Sequence, residues 1–340
     1  MTKTFNNHAL ALGISLALSS YSAIATAETS TSLEKDNLET ISILGSRVST
    51  RTITDSAVPV DIITADDLTK SGFTELGQSL QASAPSFNFS RTQVSDGSDL
   101  FRPATLRGLQ PDQTLVLVNG KRRHNQAIFG LNGTVGAGAA GTDMNAIPLI
   151  ALKDVQVLRD GAAAQYGSDA IAGVINLSLR DSTDKTTGYV QYGSTTEGDG
   201  DGYSFGLNTG FEIAEDGFIN LSLEHRDVGG TNRAQPDTGG SSTIAPGTLS
   251  DTVRWGQGNS ESEFTSFFYN AMIPVAEFEL YSFGGYSNRT ALGNGFFRNF
   301  DEAAKNVSQI YPDGFLPVIT SDIDDFSLAL GVKGFANEWN

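Results

Sequence analysis

Cysteine is absent from this 340-residue sequence, and histidine and positive charge are scarce. The lack of Cys excludes disulfides and thiolate metal sites, and the three His have no spacing that suits zinc. Lys and Arg number 22 against 39 Asp and Glu, which gives a formal charge of −17. Because nucleic acids and anionic lipid surfaces both require a basic face, neither is an expected partner.

Long apolar runs are also missing beyond the N-terminus. No later window approaches 18 continuous apolar residues, so any membrane span would have to be a β-barrel. The first 27 residues have Lys3, an apolar run at 9–18 and a small-residue cleavage site ending at Ala27. We interpret residues 1–27 as a secretory signal peptide cleaved near Ala27. A buried amphipathic helix is the alternative, but the apolar run is short and ends in Ser and Ala.

Motifs that would indicate an enzyme or a metal site lack their required context. Residues 136–141 spell G-x-G-x-x-G, but no strand precedes them and Pro148 interrupts the segment after them, so we expect a Gly-rich loop. Glu197, Asp199 and Asp201 resemble a calcium loop, yet its twelfth position is Asn208. That pattern favours a solvated hairpin loop and leaves open weak calcium binding outside the cell. The sequence predicts no enzyme, no cofactor and no metal site.

The first half of the chain alternates strand and helix signals. An apolar stretch at 58–63 precedes Thr64 and Asp67, a capping box that opens a helix at 65–71; a second helix is expected at 75–83. A buried strand at 113–118 ends at Asn119-Gly120, a strong turn signal. Two more strands are expected at 155–158 and 171–179, where Gly173 indicates close backbone approach. These signals predict a small mixed α/β domain.

The second half has a different pattern. From 203 to 213 apolar residues alternate with Ser, Gly, Asn and Glu, and the pattern recurs at 219–224 and 326–332, more faintly at 187–194, 264–273 and 276–286. Tight turns at 214–217 and 274–275 alternate with long polar segments at 195–202, 227–263 and 287–325, which is typical of outer-membrane strands. A soluble β-sandwich also alternates, but it rarely has such long loops. Six strands are expected, with 339–340 as the entry to a seventh.

Four motifs occur in the order found in one known family. They are Arg107-Gly108, the run LVLVNGKR at 115–122, Arg159 with Gly161 and Tyr166-Gly167-Ser168, and Gly173-Val174-Ile175-Asn176. This series resembles the plug domain of TonB-dependent outer-membrane receptors, although Ala162 stands where Pro is usual. The resemblance implies an α+β plug domain at 58–180, then the N-terminal antiparallel strands of a transmembrane β-barrel at 181–340. Since plugged transporters have about 22 strands, six strands predict the N-terminal part of a longer receptor or a truncated product.

The resemblance also implies an energy-coupling partner. A flexible segment at 28–57 contains an extended stretch that resembles a TonB box near 39–45, and an ordinary edge strand is the alternative. A TonB-type energy-transducing protein would pair with this stretch by strand addition. The residues predicted to contact this partner are Glu39, Thr40, Ile41, Ser42, Ile43 and Leu44. The implied location is the outer membrane of a Gram-negative cell.

The resemblance places an extracellular small ligand of the siderophore, cobalamin or saccharide class at apical loops near 87–102 and 123–143. The predicted ligand contacts are Gln126, Phe129, Asn132 and Asp143. Predicted structural residues of the plug are Arg107, Gly108, Arg159, Gly161, Tyr166 and Gly167, with the arginines paired to carboxylates of the barrel wall. The basic cluster at 121–123 beside His124 is interpreted as a solvated turn. A secreted soluble β-rich binding protein and a non-functional truncated receptor remain alternatives.

Overall fold

The computed structural model describes residues 60–88, 100–131, 136–159, 165–236 and 253–334. These residues form an N-terminal domain, whose last strand ends at Leu179, and a six-stranded sheet, whose first strand begins at Thr186. Several predictions lie outside the described residues: the signal peptide, the TonB box from Glu39 to Leu44, the ligand contact Asn132, Gly161 and the entry to a seventh strand.

The N-terminal domain is built on a five-stranded sheet in the order β1-β6-β7-β4-β5, in which only the β4–β7 pair is parallel. This is the mixed α/β domain predicted from the sequence. Its strands and helices are β1 Val60–Thr64, α1 Ala65–Lys70, α2 Leu76–Ser83, β2 Phe87–Asn88, β3 Thr105–Leu106, β4 Thr114–Val118, β5 Lys121–Arg122, β6 Leu152–Leu158 and β7 Gly173–Leu179, with 3-10 turns at Pro111–Gln113, Met144–Ala146, Leu149–Ala151 and Ser168–Ala170.

Local chemistry explains where these elements begin and what they bury. The Thr64 side chain accepts a hydrogen bond from the Asp67 N–H at 3.2 Å, so the predicted cap opens α1. Every residue of β4 and β7 is buried, as expected of strands covered on both faces. Leu68 of α1 and Leu80 of α2 are fully buried in the same apolar cluster as the central strands. Among the described residues no helix is both long and apolar enough to cross a bilayer.

Gly173 marks the close backbone approach that the sequence predicted. Its φ is +145°, and a Cβ there would stand 2.4 Å from the backbone oxygen of Leu158 in the neighbouring strand. Both strands lie in the middle of the sheet, so neither backbone can move away at low cost.

Gly173→Ala should therefore destabilise the N-terminal domain by about 3 kcal/mol, since the methyl group meets backbone and the conformation is strained for any L side chain. Amide hydrogen exchange of β7 in the purified chain measures the effect. The matched control is Gly193→Ala, because a Cβ at Gly193 meets nothing within 4 Å. Equal stability of the two variants would contradict the packing argument.

The six-stranded sheet is an antiparallel meander in which each strand pairs with the next in sequence. Leu223, for example, pairs with Leu207 on one side and Phe267 on the other. Since a slip of one residue would turn every side chain to the other face, the alternation fixes this register. The strands are β8 Thr186–Gly193, β9 Gly202–Ile213, β10 Gly217–Val228, β11 Glu261–Val275, β12 Phe278–Asn294 and β13 Val318–Gly334.

The two faces of this sheet have opposite chemistry. The exposed large apolar side chains on the outward face are 39–88% exposed, whereas Ser204 and Asn208 on the inward face are buried. A soluble sandwich would bury the apolar face against a second sheet. The architecture is the predicted one, an α+β domain followed by the N-terminal strands of a β-barrel. The described sheet is open, with β8 and β13 at its edges.

The ends of β12 and β13 differ from the prediction. Much of the segment 287–325, expected to be a loop, is strand: Ser287 pairs with Asp325 and Asn294 with Val318. The sequence hid this because the outward residues there are polar (Asn288, Thr290, Asp322 and Asp324), so hydrophobicity does not alternate. The loop between these strands is residues 295–317, and after β10 the described residues 229–236 and 253–260 are also loop.

Candidate functional site

The N-terminal domain lies against the inward face of the six-stranded sheet, and apolar side chains join the two. Phe268 of β11 and Phe283 of β12 are buried in the same cluster as Ile175 and Leu177 of β7. Tyr281 packs against this cluster, with the Lys121 ammonium 5.4 Å from its ring centroid. The contact is thus part of the domain's core.

A buried ion pair on β10 holds three points of the N-terminal domain. Glu224 and Arg226 share the inward face because alternate strand residues point the same way. Their Oε1 and Nε atoms are 3.2 Å apart, and both side chains are buried. Glu224 accepts the Ile150 N–H at 3.1 Å. Arg226 donates to the backbone oxygens of Thr74 at 3.1 Å and Asn145 at 3.5 Å.

A second ion pair joins Asp143 to Arg289 of β12 at 2.6 Å. The Asp143 side chain is only 5% exposed, and its Oδ1 also accepts the N–H groups of Arg102 at 3.3 Å and Asn145 at 3.0 Å. The structure therefore places Asp143, a predicted ligand contact, in the buried surface between the N-terminal domain and the six-stranded sheet. Its role toward a ligand stays a prediction.

The third ionic contact centres on Asp325 of β13, which pairs with Arg123 and, at 2.8 Å, with His124 Nε2. Arg123 is buried, which lowers its pKa, although Asp325 opposes the shift. The interpretation of the basic cluster as a solvated turn is wrong for Arg123. The turn at Asn119-Gly120, in which both φ angles are positive, reverses the chain. Arg123 therefore lies beside β4, where its backbone N–H donates to the Val116 carbonyl oxygen.

Asn119 of that turn is a further hydrogen-bond centre. Its Oδ1 accepts the Leu179 N–H at 2.9 Å, and its Nδ2 donates to Asn270 Oδ1 at 3.1 Å. Asn270, on β11, in turn donates to the Arg180 backbone oxygen at 3.0 Å. The turn thus ties the last strand of the N-terminal domain to the six-stranded sheet.

Among the residues that the structure describes, the polar contacts of the two predicted structural arginines lie within the N-terminal domain. Arg159 binds Asp61 of β1 at 2.6 Å, and Arg107 donates to the Arg159 backbone oxygen at 2.6 Å. The prediction that Arg159 pairs with a carboxylate of the barrel wall is therefore wrong, because its partner Asp61 belongs to the N-terminal domain. The reason is local: Asp61 pairs with Val157, so its side chain lies on the same face of the sheet as that of Arg159, two residues after Val157.

The remaining predicted structural residues that the structure describes, Gly108, Tyr166 and Gly167, form part of two turns. Gly108 has φ +72° and Gly167 has φ +102°, both in the left-handed region. Arg122 donates to the Tyr166 backbone oxygen and to the Asp169 carboxylate. That hydrogen bond lowers the pKa of Asp169.

The predicted ligand contacts Gln126 and Phe129 lie on one loop. Gln126 is half-buried, with its Nε2 donating to the Ile128 oxygen at 2.7 Å, while Phe129 is 56% exposed. The nearby Gly-rich run packs against protein: a Cβ at Gly141 would lie 2.6 Å from Pro111 Cβ. Gln126 and Phe129 remain predicted ligand contacts.

Asp199, a member of the calcium-like pattern, is engaged by protein donors. Arg233 binds its two carboxylate oxygens at 2.6 and 2.8 Å, and Thr195 and the Asn232 N–H also donate to it. The hydrogen bonds from Arg233, then Thr195, hold the Asp199 pKa well below its ordinary range. Two outer loops, 194–201 and 229–236, are joined by this contact.

The charged residues that carry most of the contact were not singled out from the sequence: Glu224, Arg226, Arg289 and Asp325. For Glu224 a usable signal existed, because it stands at an inward position of an alternating strand, where a charge needs a partner. The sequence did not reveal which residue would be that partner. Arg289 and Asp325 lie in the segment without alternation, and nothing local marked them as inward residues.

Comparison with known proteins identifies a family model and several proteins that resemble this chain. Residues 52–174 match the family model of the TonB-dependent receptor plug domain. The chain is 30% identical over 181 residues to the "Probable TonB-dependent siderophore receptor PirA" of Acinetobacter baumannii, covering 52% of this chain and 23% of that protein. It is also 30% identical over 216 residues to the vitamin B12 transporter BtuB of Vibrio cholerae, covering 62% and 32%.

Solved structures agree on the fold. A ferric enterobactin receptor mutant of Pseudomonas aeruginosa in complex with enterobactin matches at TM-score 0.51 and 22% identity, over 69% of this chain and 34% of that one. A further ferric enterobactin receptor complex matches at TM-score 0.55 and 19% identity, over 80% and 40%. The chain spans about a quarter to a third of the length of these curated relatives. Its N-terminal domain thus corresponds to a plug domain, and the chain is similar to TonB-dependent receptors.

Proposed function

We propose that the receptor to which these residues belong carries a scarce ligand across the outer membrane, with energy from a TonB-type protein. The observation that carries this proposal is the position of the plug, which packs on the inward face of a sheet whose outward face exposes many large apolar side chains. That arrangement suits a stopper inside a lipid-embedded barrel. It fits poorly with a secreted soluble protein, in which the apolar face would be covered.

The relatives favour a ligand class. Their names include a siderophore receptor, ferric enterobactin receptors and a vitamin B12 transporter. A metal chelate or a cobalamin is accordingly preferred here to a saccharide. Exposed Phe129 and half-buried Gln126 would contact this ligand from the plug.

The plug sheet suggests how a pull on the N-terminal segment would act. The first described residues form β1, which lies at the edge of the described sheet and pairs there with β6. Force applied at the N-terminus would detach β1 first, together with the contact between Asp61 and Arg159. The contacts of Asn145 and Ile150 with β10 would still hold the rest of the plug.

Growth of a clean deletion strain tests the proposal. On limiting iron supplied as one siderophore at a time, or on limiting cobalamin, the strain should fail on one ligand and recover with the full-length gene. Labelled-ligand uptake by the same cells checks that growth reports transport. Unimpaired growth and uptake on every ligand of these two classes would contradict the proposed function.

A further inference from the structure

A cavity of about 150 Å³ lies between the plug and the six-stranded sheet, at the ends of β10 to β12 that carry the long loops. A single water needs about 10–15 Å³ of such space, so the cavity can hold a small molecule or several waters. Its lining is mostly polar and comes from both sides: Thr74, Gln78, Arg102 and Asn145 of the plug, with Ser262 and Arg289 of the sheet.

Arg289 provides unused hydrogen-bond donors at this cavity. Its side chain is 6% exposed, and its Nη2 binds Asp143. Its Nε and Nη1 atoms are buried and have no hydrogen-bond partner among the described residues, and the same is true of Asn145 Oδ1. A buried polar group left unpaired costs about 1–3 kcal/mol, and more when it is charged. These atoms therefore favour a polar occupant.

The charges on the lining indicate the class of that occupant. Arg102 adds a second guanidinium to the cavity, while one carboxylate, Glu75, faces it and accepts a hydrogen bond from Gln78. Guanidinium groups bind carboxylate and phosphate oxygens with the strongest hydrogen bonds available to side chains. The Ser262 hydroxyl can donate to such an anion, whereas Asn145 Oδ1, an acceptor, requires a donor such as a water bound beside the anion.

We propose that this cavity binds a small oxyanion, a carboxylate or phosphate, through Arg289 and Arg102, and that the anion competes with Asp143 for Arg289. Binding then weakens the Asp143–Arg289 contact between plug and sheet. Because coupling between two interactions is reciprocal, loss of the Asp143 charge must strengthen anion binding. Anion binding in the cavity would thus weaken the attachment of the plug to the six-stranded sheet.

Calorimetric titration of the full-length receptor in detergent, with inorganic phosphate and with citrate as probes, tests this inference. Asp143→Asn should tighten binding about three- to tenfold by removing the competing charge. Ser262→Asp and Gln78→Glu, which place a carboxylate in the cavity from opposite sides, should each weaken it about tenfold or more. Lys333→Gln, at an exposed pair distant in sequence, is the control and should change nothing. Retained circular dichroism shows that each variant is folded.

A second readout monitors the plug itself. Saturating probe should speed hydrogen exchange of the Arg102 and Asn145 amides, because both donate to Asp143. No binding of either probe, or binding unchanged by all three cavity variants, would overturn the inference. The titration uses neither the energy-transducing partner nor uptake, so its failure would leave the proposed transport function untouched, and failed uptake would not affect the titration.

Discussion

Ile41→Pro should abolish energy-coupled uptake while ligand binding to cells stays unchanged. Strand addition requires backbone N–H groups on the added segment, and proline has none. One unpaired backbone group in the new strand pair costs about 1–3 kcal/mol, which weakens partner binding about 10- to 100-fold. Uptake of labelled ligand at 37 °C, set beside binding at 4 °C, separates transport from recognition.

Two substitutions serve as controls for that experiment. Ile41→Ala retains the N–H and should keep most of the uptake, and Thr31→Pro puts the same ring in the segment before the box. If Thr31→Pro stopped uptake as fully as Ile41→Pro, the loss could not be assigned to the predicted box. Full uptake by Ile41→Pro would refute the box itself.

Arg226→Ala should loosen the plug more than any other single truncation at its contact with the sheet. The substitution leaves the fully buried Glu224 carboxylate without its cation and frees the Thr74 and Asn145 oxygens. Breaking one side of a buried pair costs about 3–5 kcal/mol. The Ile150 amide, which donates to Glu224, should then exchange about 100-fold faster or more.

A double variant shows whether the lone charge is the cause. Glu224→Gln combined with Arg226→Ala keeps an acceptor for the Ile150 N–H and removes the unpaired carboxylate, so it should recover part of the lost stability. Lys333→Ala is the matched control, since it breaks an exposed pair with Glu279 and should cost at most about 1 kcal/mol. The Arg226 side chain also packs on Phe264, with its Cζ atom 4.2 Å from the ring centroid. If the double variant is no more stable than Arg226→Ala, the loss of this packing destabilises the plug more than the unpaired Glu224 charge does.

Features governed by neighbouring residues were predictable from the sequence. The cap at Thr64, the turn at Asn119-Gly120 and the approach at Gly173 each depend on a few adjacent side chains or on one φ angle. The alternating strands of the sheet were predictable for the same reason, because a period of two is visible within eight residues.

Pairings between distant parts of the chain were not predictable. Arg226 and Thr74 are 152 positions apart, and Arg123 and Asp325 are 202 apart. Nothing local says which buried charge meets which partner, and Arg159 was accordingly given a distant carboxylate although Asp61 of the adjacent strand is its partner. The outer halves of β12 and β13 escaped notice because their outward residues are as polar as those of a loop.

The unequal lengths of the strands have a consequence for the shape of the outer rim. A span of the bilayer takes about 9–11 residues, whereas β12 and β13 each have 17 and β9 and β10 each have 12. The surplus of β12 and β13 lies at their outer ends, where Asn288 and Asp322 carry water-compatible side chains on the outward face. In the membrane-spanning arrangement proposed above, these outer ends of β12 and β13 extend beyond the lipid and hold the loop at 295–317 away from the membrane surface.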